Sequence, residues 1–76
     1  MKELLEFLVR SLVDEPEKVS VAEVKGEKSV VYEVRVAPSD TGKIIGKQGR
    51  VARALRTIVK AASAKRGTKA VVEILE

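Results

Sequence analysis

The residues best suited to chemistry lie together in one short stretch, Gly-Lys-Ile-Ile-Gly-Lys-Gln-Gly-Arg, at residues 42–50. Gly46 and Gly49 bracket two polar residues, and this spacing lets the backbone approach a ligand without interference from Cβ atoms. Free N–H groups at the start of a following helix attract phosphate. Lys47 and Arg50 add full positive charges at the same point. The chemistry that fits is the binding of a sugar–phosphate backbone.

Neighbouring side chains extend this candidate site. Lys43 is a third cation, and Ile44 and Ile45 form an apolar wall beside which bases can lie. Arg53 follows one turn into the next helix. A cation in the first turn of a helix, where Arg50 lies, is slightly unfavourable, and local violations of this kind tend to mark function.

Two better-known glycine motifs do not fit this stretch. A Walker A loop needs one more residue between its glycines, a Ser or Thr after its lysine and a strand before it. A dinucleotide-binding fingerprint needs a third glycine and a βαβ unit. A Gly-x-x-Gly pair alone also occurs at helix corners for steric reasons, so its weight here comes from the adjoining helices and charges.

Charge is partitioned along the 76 residues. Residues 1–40 carry six basic and nine acidic side chains, residues 41–69 carry nine basic and none acidic, and residues 70–76 carry two acidic. A polyanion is the natural partner of the basic block. The alternative is a solvated helix face that keeps a small protein soluble. Lys65, Arg66 and Lys69 form either a second basic edge or ordinary turn charges.

Composition narrows the class of protein. The chain has no Cys and no His, which excludes disulfides, Cys/His zinc sites and imidazole catalysis. We expect no enzyme, no metal and no cofactor, and one domain over residues 1–76. No membrane segment is visible in the sequence, so we expect a cytoplasmic protein. Phe7 and Tyr32, the two aromatic residues, fit the core better than a stacking platform, which favours weak, sequence-tolerant binding.

Periodicity predicts the order α-β-β-α-α-β. Apolar spacing indicates a helix over residues 3–13, strands over 18–25 and 30–36, a short helix ending at Ile45, a long helix over 50–64 and a strand over 69–75. Ser39 or Asp40 is expected to cap the short helix. A three-stranded mixed sheet with three helices packed on one face would bury all the apolar stripes in one core.

Finer expectations concern the first strand and the long helix. Val19 and Val21 point one way and Ala22 and Val24 the other, so the register is open and a bulge is considered. The long helix carries one apolar stripe, composed of Val51, Ala54, Leu55, Ile58, Val59 and Ala62. Its centre is expected near Val51, Ile58 and Ala62. Arg56 and Lys60 lie almost opposite and are interpreted as solubility charges.

With Ile-Ile-Gly-Lys-Gln-Gly-Arg between two helices, the chain resembles a type II KH domain, whose Gly-x-x-Gly loop clamps nucleotides. The stretches at residues 35–38 and 53–57 extend the likeness to the KhpA family of small bacterial single-domain KH proteins. The resemblance implies that residues 46–49 hold an RNA backbone. It also implies that Ile44, Ile45 and Val51 border the groove for the bases.

The resemblance further implies partners. Proteins of this family are RNA chaperone-like binders that self-associate, pair with a larger KhpB/Jag-type KH protein and are linked to cell elongation and shape. We therefore expect single-stranded RNA, a homodimer and such a heterodimer. A second hypothesis makes the chain a protein–protein adaptor in a cell-elongation or ribosome-associated complex. Small residues on one flank of the long helix, Ala54, Thr57, Ala61 and Ala64, are a possible contact surface or simply good helix formers.

Overall fold

The computed structural model describes residues 1–75 and follows the predicted order of elements. The helices are α1 (Lys2–Leu12), α2 (Thr41–Ile45) and α3 (Arg50–Ala64), and the strands are β1 (Ser20–Lys25), β2 (Ser29–Arg35) and β3 (Lys69–Leu75). Short 3-10 turns occupy Pro16–Lys18, Pro38–Asp40 and Lys47–Gly49. The predicted α+β class is confirmed.

The three strands form one mixed sheet in the order β1-β2-β3. β1 pairs with β2 antiparallel through a tight hairpin, in which Gly26 N–H donates to Ser29 O at 2.7 Å. β3 pairs with β2 in parallel, which requires a crossover connection, and α2 and α3 supply it. Both helices, and the connection between them, therefore lie in the crossover from β2 to β3.

The first strand pairs without interruption. Its partners on β2 follow one another residue by residue, so the bulge considered from the sequence is wrong. Val19 and Val21 are buried under the helices, whereas Ala22 and Val24 lie on the open face of the sheet, with Val24 52% exposed. Apolar side chains of this segment therefore point to both faces of the sheet, because the open face also carries valines.

The core lies between the sheet and the helices α1 and α3. Its members come from all layers: Leu5, Val9, Val19, Val21, Val30, Tyr32, Val34, Ile44, Leu55, Val59 and Val72. The prediction for Tyr32 is confirmed, since it is 4% exposed and its hydroxyl donates to Glu23 at 3.1 Å. The prediction for Phe7 is wrong, because its side chain is 67% exposed on the outer flank of α1.

The long helix begins and ends where the sequence predicts but is rotated about its axis. Its buried residues are Ala52, Leu55, Val59 and Ser63. Ile58, expected at the centre of the buried stripe, is 42% exposed, and Ala54 is exposed. The physical reason is that part of the apolar stripe covers no core and instead faces outward beside α1.

Candidate nucleic-acid interface

Helix α2 ends at Gly46 for a steric reason. Gly46 has φ 76° and ψ 170°, a region that essentially only glycine adopts, and its N–H donates to Gly42 O at 2.8 Å. A Cβ added at Gly46 would overlap the side chain of Val51 and lie 2.8 Å from the Val51 nitrogen. The end of α2 and the start of α3 are therefore held in close contact.

The turn at residues 46–49 is tight and left-handed. Gly49 N–H donates to Gly46 O at 3.1 Å, and Arg50 N–H donates to Lys47 O. These two amides are engaged within the turn, so the expectation of free N–H groups at the start of α3 does not hold for them. Gln48 has φ 59° and Gly49 has φ 73°. A glutamine in the left-handed region is uncommon, and such strain clusters at binding sites.

The outer surface of this turn is open and cationic. Among residues 1–75, nothing lies within 4 Å of a Cβ built on Gly49, so a ligand can approach its backbone closely. Lys47, Gln48 and Arg50 are all exposed, and Arg50 Nη2 donates to Gln48 Oε1 at 3.4 Å. Arg53 is exposed one turn further along α3. The structure brings these four predicted residues together.

The two isoleucines play different parts. Ile45 is half-buried beside Gly46, as is Val51, so both reach the surface next to the turn. Ile44 is fully buried and belongs to the core. The expectation that Ile44 forms part of an exposed apolar wall is corrected, because α2 packs against α1 and α3 and Ile44 is buried in the core cluster.

Lys43 is paired with acidic residues. Its ammonium contacts the carboxylate of Asp14 and lies 3.7 Å from Asp40 Oδ1. The hydrogen bond to Asp14 raises the pKa of Lys43 above its ordinary value. The charge of Lys43 is therefore partly neutralised on the side of α2 that faces Asp14.

Asp40 lies at the N-cap position of α2, but its side chain makes no capping hydrogen bond to α2. Its carboxylate, 1% exposed, accepts from Asp14 N–H at 3.2 Å and from Glu15 N–H at 3.1 Å. Burial acts to raise the pKa of the Asp40 carboxyl, but the two amides and Lys43 outweigh it and hold the pKa below its usual value. The predicted cap position is correct, and the predicted capping bond is replaced by these longer-range contacts.

A groove between α3 and β3 was missed in reading the sequence. It has a volume of about 460 Å³ and is lined by Arg56, Lys60, Ala64, Thr68, Lys69, Ala70, Val71 and Val72. Arg56, interpreted as a solubility charge, donates from Nε to Val72 O at 3.4 Å on the edge strand β3. The sequence signal that could have indicated this groove, called the α3–β3 groove below, is the basic block of residues 41–69, which includes both the turn at residues 46–49 and the basic residues that line the groove.

An exposed apolar surface, the α1–α3 patch, lies on the other flank of α3. It comprises Phe7, Leu8, Leu12, Val51, Ala54 and Ile58, which surround a depression of about 430 Å³. Leu12 and Ile58 are 43% and 42% exposed. Contiguous exposed apolar areas are a common feature of interaction surfaces. Arg50 borders both the patch and the turn at residues 46–49.

Comparison with known families agrees with this geometry. The family model described as the KH domain of KhpA/KhpB matches residues 2–74. The chain belongs to this family. The RNA-binding protein KhpA of Clostridium perfringens is 59% identical over 75 residues, or 99% of this chain and 100% of that protein. The protein of the same name from Aquifex aeolicus is 54% identical over 76 residues, or 100% of this chain and 96% of that protein.

A solved structure shares the fold of this KH domain at low identity. An Era variant of Aquifex aeolicus bound to GDP and aluminium fluoride gives a TM-score of 0.65 at 19% identity, covering 96% of this chain and 28% of that chain. The chain thus spans 28% of the Era chain, and the likeness concerns the fold alone. Within residues 1–75, no helix is long and apolar enough to cross a membrane.

Proposed function

We propose that this chain binds single-stranded RNA, without catalysis, through the Gly-x-x-Gly turn at residues 46–49. The observation that carries the proposal is the open space over Gly49 next to a left-handed Gln48, which lets a phosphate approach the backbone. Family membership supports it, since the full-length relatives are named RNA-binding proteins.

Each residue of the site has a part in this proposal. Gly46 and Gly49 shape the turn, and Lys47, Gln48 and Arg50 contact the phosphates. Ile45 and Val51 border the bases, and Arg53 supports the next phosphate along α3. The sequence also placed Lys43 and Ile44 among the RNA contacts. In this proposal they support the site indirectly: Lys43 forms an ion pair with Asp40, and Ile44 packs in the core.

The RNA continues from the turn along α3. The α3–β3 groove is lined by cations and by apolar side chains, among them Lys60, Lys69 and Val71. Bases can lie on such apolar side chains while the cations meet the backbone. The two aromatic residues offer no stacking here, because Tyr32 is buried in the core and Phe7 lies on the α1 flank. Binding is therefore weak and tolerant of sequence.

The proposal extends to the cellular role that the family resemblance implies. The chain acts in the cytoplasm as an RNA chaperone or post-transcriptional regulator, forms homodimers and pairs with a KhpB/Jag-type protein in the control of cell elongation. Two linked copies raise the effective concentration of weak RNA sites. The matching family model, which covers both KhpA and KhpB, is compatible with such pairing.

The alternative function is a protein–protein adaptor, and the α1–α3 patch is the observation that favours it. Phe7 is the most exposed of the large apolar side chains, and a partner that covered it would bury a ready hydrophobic anchor. In that case the turn at residues 46–49 would serve mainly to join α2 to α3.

Fluorescence anisotropy with a labelled oligouridine across a salt series tests the RNA-binding proposal. The test variant is Lys47→Asp/Gln48→Asp, and the control is Ser20→Asp/Lys28→Asp, which changes the net charge equally at exposed positions on the hairpin. Circular dichroism verifies that all three proteins fold. Phosphate contacts predict a log–log salt slope of about −0.7 per phosphate for a single strand.

We expect wild type and the hairpin control to bind RNA with a negative salt slope. The Lys47→Asp/Gln48→Asp variant, called the loop variant below, should lose RNA binding. Equal binding by the loop and hairpin variants would place the RNA elsewhere on the basic block. Binding by none of the three proteins would favour the adaptor. Turnover of RNA by highly purified protein would contradict the non-catalytic role.

A further inference from the structure

Asp40 connects two segments that lie far apart in the sequence. Its two carboxylate oxygens accept from the consecutive amides of Asp14 and Glu15, in the turn that follows α1. Lys43, one turn into α2, contacts both Asp14 and Asp40. Ser39 Oγ adds a hydrogen bond to Glu15 Oε2 at 3.3 Å. These contacts fasten the start of α2 to the end of α1.

Helix α2 depends on such contacts for its position. It has five residues, and a helix of this length is not stable by itself in water. Besides the packing of its end against α3, two features hold it: Ile44, fully buried in the core, and Asp40 at its N-cap. The turn at residues 46–49 begins directly after α2, so any movement of α2 displaces the turn.

We propose that Asp40 is a positioning residue for RNA binding: its carboxylate fixes α2 against the turn after α1 and so holds residues 46–49 in the arrangement that accepts RNA. This inference rests on the proposed RNA-binding function. A residue that only capped α2 would bond to the amides of α2 itself. The Asp40 carboxylate instead bonds to amides 25 and 26 residues away, which tie α2 to a different part of the fold.

The neighbouring charges fit the same role. A carboxylate that is 1% exposed needs compensation, and it receives two amides and the Lys43 ammonium. Lys43 is thereby drawn toward Asp40 and Asp14. Its place in the basic block serves the position of α2, and Lys47 and Arg50 are left to meet the ligand.

The test compares Asp40→Ala with Val21→Ala, a cavity variant in the sheet half of the core. The main contacts of α2 are with α1, α3 and the adjoining turns, so Val21 on β1 is a control for general loss of stability. Oligouridine affinity is measured by anisotropy at a temperature where each protein is fully folded. Hydrogen exchange follows the amides of Asp14, Glu15 and Gly49. Asp40→Asn, which keeps one acceptor oxygen, is the second variant if Asp40→Ala fails to fold.

We expect Asp40→Ala to raise the Kd for RNA about tenfold, because a turn that occupies its binding arrangement about a tenth of the time loses affinity in that proportion. Val21→Ala should retain the wild-type Kd, and Asp40→Asn should fall between. Exchange at Gly49 should accelerate in the Asp40 variants and not in Val21→Ala. Wild-type affinity in folded Asp40→Ala, or an equal loss in Val21→Ala, would overturn the proposal.

The two proposals fail in different ways. If wild type itself binds no oligouridine, the proposed function fails, and the exchange data still decide whether Asp40 holds the turn. Gly49 exchange that is equal in wild type and Asp40→Ala would then overturn the positioning role as well. If Lys47→Asp/Gln48→Asp abolishes binding while Asp40→Ala leaves it intact, only the positioning role is contradicted.

Discussion

The side chain of Val51 occupies the space that a Cβ on Gly46 would need. The first turn of α3 and the first residue of the Gly-x-x-Gly turn are thus in direct contact, and glycine is required at residue 46 by the protein itself. Gly49 differs, since a Cβ there would point into open space among residues 1–75. The two glycines of one motif are therefore present for different physical reasons.

Substituting the two glycines should separate these reasons. Gly46→Ala combines a glycine-only backbone conformation with a clash, so we expect the free energy of unfolding to fall by about 2 kcal/mol or more. Gly49→Ala meets only the left-handed penalty of about 1 kcal/mol. Urea denaturation measures both. Equal losses would mean that the Val51 contact relaxes easily.

Gln48 should be strained by its positive φ. Gln48→Gly should therefore raise the free energy of unfolding by up to about 1 kcal/mol, since glycine adopts the left-handed region without penalty. Lys47→Gly is the matched control, because Gln48 is the only non-glycine residue with a positive φ among residues 1–75. The Lys47→Gly variant should lower the free energy of unfolding, since glycine raises the entropy of the unfolded backbone. A loss of stability in both variants would contradict the strain.

Two lysines of the basic block should behave differently. Lys47→Met should weaken RNA binding and leave stability nearly unchanged, because its side chain is exposed beside the open turn. Lys43→Met should lower the free energy of unfolding only slightly, since its ion pairs are partly exposed, and should affect RNA binding less. Anisotropy and urea denaturation on both variants give the comparison, and the opposite ranking would make Lys43 the phosphate ligand.

Acid should remove the contribution that Asp40 makes to the free energy of unfolding. Its pKa is lowered in the folded protein from the ordinary 3.8, so the unfolded chain binds this proton more readily. The stabilisation is present above pH 3.8 and is lost as the pH falls through the lower folded value. We expect the difference in free energy of unfolding between wild type and Asp40→Asn to be constant near neutrality and to shrink in acid. A difference that grows in acid would contradict the direction of the shift.

The α1–α3 patch should support self-association. Phe7→Glu places a charge on the most exposed apolar side chain and should shift the protein toward monomer in sedimentation velocity experiments. Val24→Glu is the control, since Val24 is 52% exposed on the open face of the sheet, away from the helices. If Val24→Glu dissociates the protein and Phe7→Glu does not, the contact surface is the sheet.

Local signals in the sequence predicted most of the elements. Helix α3 has the predicted bounds because Gly49 precedes it and Gly67, with φ 71°, follows it. Its rotation was not predictable in this way, because helical periodicity treats an exposed apolar residue such as Ile58 as if it were buried. When one helix carries both a surface patch and a core stripe, periodicity predicts a single apolar face whose direction is the average of the two.

The site was predictable where its chemistry is local and not where it depends on distant residues. The Gly-x-x-Gly spacing located the turn and its cations directly. The role of Asp40 involves amides 25 and 26 residues earlier, and local rules assign it only as a cap. The pairing of Lys43 was hidden for the same reason, since nothing near it in the sequence indicates Asp14.

The separation of charge along the chain affects events before any contact forms. All nine cations of residues 41–69 belong to the segment that carries the turn and the α3–β3 groove, while residues 1–40 bear an acidic excess. A polyanion at a distance therefore exerts a torque on the protein as well as an attraction, and turns the basic side toward itself during diffusion. A polyanion should therefore meet the protein in the orientation that the proposed site requires, and the rate of association, more than the lifetime of the complex, should decline as ionic strength rises.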